Sequence, residues 1–262
     1  MKGFLTILIV LCIIQPTAYA QSYDASLLDE LGDSLVNFSL DPEIGVEVRG
    51  VQPRLSFYRQ YLTKAFSYRD TIHIDVLLQY HGHYLNNPGD LRLLGESQAV
   101  VLKALEQGSY DIIADEGTDV DSVTFRSLFT HVMEKGREMG SDPDSAAIWN
   151  AVLDDTLYNG VSYYLKRHPR AYIIGSEEYP MLELSSKLLN LTDAGNRPDP
   201  RYDRLSQIAL DLRSDIALAK LLTALHRKGY AKGAINIGLM HEQRLPEVLQ
   251  QHGIPHSLIR TL

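Results

Sequence analysis

The chain has 262 residues, a formal charge of −8 and one cysteine. That length allows one domain with a substantial core, and an acidic balance without a concentrated basic stripe excludes a nucleic-acid-binding class. Beyond the N-terminus no apolar run is long enough for a transmembrane helix.

Met1-Lys2 is a short basic start, Phe4 to Ile14 is apolar, and Ala18-Tyr19-Ala20 is a small-x-small cleavage pattern. Residues 1–20 therefore read as a signal peptide cleaved after Ala20, against the alternative of an uncleaved anchor. Cys12 leaves with it, so the mature chain can make no disulfide and any metal must rest on His, Asp or Glu. The expected location is secreted or periplasmic, and export without disulfides suits a bacterial envelope protein. Residues 21–69 are expected to form an N-terminal extension packing on the domain, with a helix over Leu55 to Phe66.

From residue 70 onward strands and helices alternate. Ile72 to Leu78 reads as a buried strand, Asn86-Asn87-Pro88-Gly89 as a loop, Glu96 to Gln107 as a helix and Tyr110 to Ala114 as a second strand. That βαβ order predicts parallel pairing of the two strands. Residues 121 to 167 look mostly helical. Ala171 to Gly175 is a third strand, Met181 to Leu191 a helix, and Arg204 to Lys228 a long amphipathic helix stopped by Gly229. Ala234 to Gly238, Leu245 to His252 and Ser257 to Ile259 follow as strand, helix and short strand. The pattern predicts an α/β fold over 70–262: a single domain with a mostly parallel central sheet flanked by helices.

Ligands of open α/β sheets gather outside the carboxyl ends of the strands, and polar clusters fall there. After the first strand come Gln79-Tyr80-His81-Gly82-His83; residues two apart on a strand share a face, so His81 and His83 can enter one cleft. After the second comes Asp115-Glu116-Gly117, where Glu116 stands as a general base or metal ligand and Asp115 is expected to point the other way. The fourth strand runs into Gly238-Leu239-Met240-His241. Leu245 occupies the position a zincin helix would give to its second histidine, so that reading fails. Arg213, on the long helix, can hold an anionic substrate or orient a carboxylate. The remaining histidines are expected to be structural or solvated.

These pieces, in this order, resemble the broad superfamily of erythromycin-esterase-like, ChaN-like and TraB-like domains. The matching segments are Gln79-Tyr80-His81-Gly82, Asp115-Glu116-Gly117 and Gly238-Leu239-Met240-His241, with Arg213 and Ala171 to Glu178 matching less specifically. The resemblance covers about residues 70–262. It implies a cleft lined by His and Glu, and adds Glu178 as a further carboxylate. The branches it spans differ: ester hydrolysis, metal-dependent peptide cleavage, and haem or iron binding. Gln79 departs from the common Gly-Glu-x-His pattern of the family, in which Glu is frequent at this position and a glycine precedes it.

Two functions remain open at this stage. One is an exported hydrolase acting on an ester or a peptide, with His81, Glu116 and His241 as catalytic residues and His83, Glu178 and Arg213 contacting a small-molecule or peptide substrate. If a divalent metal is bound, His81, Glu116 and His241 are its ligands. The other is a non-catalytic envelope protein that binds haem, a metal or a small ligand in the same cleft. Sequence alone specifies neither the cofactor nor the oligomeric state.

Overall fold

In a computed structural model, residues 22–68, 70–80, 88–116, 119–124, 160–192 and 199–262 are described. The proposed signal peptide, His81, His83 and most of the stretch read as helical between 121 and 167 lie outside these residues.

Among the described residues five strands form one parallel sheet: β1 His73–Gln79, β2 Ile112–Asp115, β3 Ile173–Gly175, β4 Lys232–Gly238 and β5 His256–Arg260. Their spatial order is β3-β2-β4-β1-β5. β1 and β2 are therefore parallel without being neighbours. β4 lies between them, pairing Gln79 with Gly238 on one side and Asp115 with Asn236 on the other. A βαβ pattern gives the relative direction of two strands but does not forbid a later strand from inserting between them.

Two layers of helix cover the sheet. Three N-terminal helices, α1 Ser26–Phe38, α2 Gly45–Val51 and α3 Leu55–Ala65, precede β1. α4 runs Pro88–Gly108 between β1 and β2. It starts eight residues before the expected helix, at a proline suited to the first helical turn. α5 Gly160–Arg167, α6 Tyr179–Thr192, α7 Asp203–Lys228 and α8 Arg244–Gln251 complete the described set. Ile74, Val76 and Leu78 of β1, with Ile235 and Ile237 of β4, face a large core shared with α1–α3 and α6–α8. Leu77, Ile113, Ile173 and Ala234 alternate to the other face and pack with α4 and α5. There Gly160 brings the two helices together, since a Cβ on it would lie 2.6 Å from the Gln98 carbonyl oxygen.

α7 is more buried than an amphipathic helix. Every residue from Leu212 to Ala219 is buried, because the sheet lies on one side and α1, α3, α6 and α8 on the others. It ends at Gly229, whose φ of 67° is left-handed and suits a residue without a Cβ. Burial on all sides forces its polar residues to find partners, and they do so on opposite sides of the helix. Asp215 takes two bonds from Arg244, at 2.8 and 2.7 Å, and one from Tyr23 at 2.7 Å. Burial and the Asp215 charge push the Tyr23 hydroxyl well above the usual phenol range. Arg213 faces the carboxyl edge of the sheet. No helix among the described residues is long and apolar enough to cross a membrane.

Candidate active site

The chain leaves β2 toward β3 at one edge of the sheet and leaves β4 toward β5 at the other. The adjacent carboxyl ends of β2 and β4 thus form the topological switch point, the preferred ligand crevice of this architecture. A cavity of about 290 Å³ opens there, lined by Glu116, Glu177, Arg213 and His241, with Leu182 and Leu210 among its apolar walls.

Glu116 follows the last residue of β2 and points to the α7 face, while Asp115 points to the opposite face. The β2–β4 pairing continues one step beyond the strand, with the Glu116 N–H donating to the Asn236 carbonyl at 3.1 Å. That continuation fixes the side chain's direction. One Glu116 oxygen accepts the backbone N–H of Gly238 at 2.5 Å, and the other accepts Arg213 Nη2 at 3.0 Å. The same Nη2 donates to Glu177 Oε1 at 2.5 Å, and Arg213 Nε donates to Glu177 Oε2 at 3.2 Å. The guanidinium thereby makes a fork with Glu177 and a single bond with Glu116. Burial disfavours its charge, but the two carboxylates outweigh that cost and hold the Arg213 pKa above its ordinary value. Two carboxylates sharing one guanidinium leave one formal negative charge beside His241.

His241 ends the short 3₁₀ turn Leu239–His241 after β4 and is 2% exposed. Its Nδ1 lies 2.7 Å from Ser214 Oγ, next to Arg213 on α7. The Ser214 hydroxyl can donate to the Leu210 carbonyl at 3.2 Å and accept Nδ1–H from the ring. In that tautomer Nε2 keeps its lone pair. It lies 3.7 Å from Glu116 Oε1, beyond hydrogen-bond distance.

The structure brings Glu116, Arg213 and His241 together. His81 and His83 are outside the described residues. Glu178 does not line the cavity; its carboxylate accepts Arg54 Nη1 at 3.0 Å near the surface. Glu177, one residue earlier, faces the cavity instead. Alternation counted from Ile174 would put residue 178 on the α7 side, but β3 ends at Gly175 and the count is lost there. Gln79 also lies elsewhere. Its side-chain oxygen accepts Gln98 at 2.9 Å and Asn236 at 3.2 Å on the α4 face, so the departure from Glu falls outside this cavity.

Among the described residues no three His, Cys, Asp or Glu side chains group to hold a metal ion. The Glu116 and Glu177 oxygens are already engaged by Arg213 and Gly238 N–H. The described donors, of which only His241 Nε2 is open, do not make up the set of ligands that a divalent metal needs. No family model matches the chain, and no curated protein or solved structure was found to match it.

Proposed function

We propose that the protein is an exported, erythromycin-esterase-like hydrolase that cleaves an ester or amide bond in a small substrate, with His241 and Glu116 at its centre. The observation that carries this reading is the approach of His241 Nε2 to Glu116 Oε1, 3.7 Å apart, beside a cavity at the switch point of the sheet. In the proposed reaction a water enters between the imidazole and the substrate carbonyl. Nε2 takes a proton as the water oxygen attacks the acyl carbon, Glu116 stabilises the imidazolium, and the proton then passes to the leaving oxygen or nitrogen as its bond to the acyl carbon breaks. Ser214 holds the tautomer that makes Nε2 the base. Arg213 holds Glu116 in place, and it lines the cavity where negative charge would develop on the carbonyl oxygen. The apolar walls suit an acyl or alkyl group. His81 and His83 keep their proposed places as additional acid, base or substrate contacts.

A ligand-binding protein without turnover is the second reading. The predominantly apolar cavity walls favour it, as do carboxylates already satisfied by Arg213. A panel of nitrophenyl esters of increasing acyl length and of peptide amides separates the two. The hydrolase reading expects saturable turnover that His241→Asn lowers by about 10²- to 10⁴-fold without loss of the folded state. Absence of turnover across the panel, with an acyl compound still bound in the cavity, would establish the second reading instead.

A further inference from the structure

On the same side of the sheet, behind Glu177, lies a second cavity of about 160 Å³. It sits between α3, the C-terminal half of α7 and the start of β3. Three cationic side chains line it, Lys220, Arg227 and Lys228, against one carboxylate, Asp121, in a chain with formal charge −8. Basic residues in the last turn of a helix ordinarily complement the helix dipole, which accounts for Arg227 and Lys228 taken alone. It does not account for Lys220, two turns earlier and only partly exposed, where burial lowers its pKa despite nearby acids Glu178, Asp119, Asp121 and Glu177. Glu178 is itself paired with Arg54. Lys220 Nζ donates to the Glu177 carbonyl at 2.6 Å and to the Asp119 carbonyl at 3.3 Å. Among the described residues these bonds leave the third ammonium N–H available to a ligand. Lys228 Nζ lies over the Tyr172 ring, 5.1 Å from its centre, and Tyr61 forms another wall.

From this placement we infer that the cavity is a binding site for a small anion carrying a phosphate or carboxylate group, held by Lys220, Arg227 and Lys228 between two tyrosine rings. The volume fits a compact head group, and charge-assisted bonds from three cations favour an oxyanion. The inference does not depend on hydrolysis in the neighbouring cavity. Since Glu177 gives its carbonyl to Lys220 and its carboxylate to Arg213, an anion drawing on Lys220 also bears on the first cavity.

The test is binding of inorganic phosphate and of phenyl phosphate and benzoate to the purified protein, followed by calorimetry and by ³¹P NMR for the phosphates, at constant ionic strength set with chloride. Saturable binding of at least one probe is expected, weakened roughly tenfold or more by Arg227→Ala combined with Lys228→Ala and unchanged by Lys166→Ala on α5. Both substituted positions lie at an exposed helix end, and an unchanged unfolding midpoint in chloride would show that the variant folds. A saturable phosphate isotherm indifferent to the double substitution would overturn the proposal. So would non-saturable binding, or no binding of any of the three probes.

Discussion

Asp115 ends β2 and Glu116 follows it directly, yet the two enter different polar regions on opposite faces of the sheet. On the α7 face, Glu116 joins Glu177, Arg213 and His241 around a cavity. On the α4 face, Asp115 accepts Asn236 Nδ2 at 2.7 Å, and Asn236 and Gln98 both donate to Gln79. Gln98 in turn accepts the Gly160 N–H at 2.8 Å. The first region concentrates full charges and lines an opening. The second is mostly amides and ties β1, β2, β4, α4 and α5 into one packed block. Buried amides with partners anchor structure at modest cost, whereas buried charges with an adjacent cavity are costly to hold and are commonly kept for chemistry.

Removing the guanidinium should have the largest effect. Arg213→Met leaves two buried carboxylates without their counter-charge and should cost about 3–5 kcal/mol in urea unfolding at pH 7. The sign with pH follows from the carboxylates. Protonation removes the charges that Arg213 balances, so the penalty is full at neutral pH and shrinks in acid. Equal destabilisation at pH 7 and pH 5 would show that the two charges are not what Arg213 balances.

The amide region should respond in stability alone. Gln98→Met removes the partner of the Gly160 N–H at a helix contact with no space for repacking, at a cost of about 1–3 kcal/mol. Turnover per folded molecule should stay at the wild-type value, and a large fall in kcat would mean that the two faces form one functional unit. Ser214→Ala should cost about 1 kcal/mol and shift the acid limb of the pH–rate profile, the limb that reports a general base, by releasing the His241 tautomer. An unaltered profile would remove Ser214 as a positioning residue.

The smallest effect belongs to the amino edge of the sheet. Burial pushes the Asp75 carboxyl up, but hydrogen bonds from Tyr110 and His73 outweigh it and hold it below the usual carboxylate range. A lowered carboxylate stabilises the fold above its unfolded pKa, and that contribution fades as pH falls through the folded value. Tyr110→Phe should therefore narrow the stability difference between neutral and acid pH, measured by unfolding midpoints. Hydrolysis at the other edge should be unmoved.

Much of the architecture was legible because strand and helix periods differ and the buried strands are short apolar runs. The parallel sheet and the position of each described strand follow from that reading. The insertion of β4 between β1 and β2 was not legible, since strand order depends on which helix covers which face. α1 and α2 were also missed, although Leu28, Leu31 and Leu35 keep a helical spacing into the core. At the site, Glu116 and His241 could be named because each directly follows a strand at the carboxyl edge. Arg213 could be named, with orienting a carboxylate among its tasks, but its two partners could not, being 97 and 36 residues away in sequence. Glu177 was hidden by its neighbour Glu178, since nothing in a pair of adjacent glutamates tells which one turns inward once the strand has ended.

A double-mutant cycle of Glu116→Gln and His241→Asn, read as kcat/KM on the best ester of the panel, addresses the central claim most directly. If the two groups act as one unit across 3.7 Å, each single variant loses about 10²-fold or more. The double variant should then be little worse than the poorer single variant. Losses that multiply would mean that Glu116 and His241 act independently, and undiminished activity in either single variant would contradict the site.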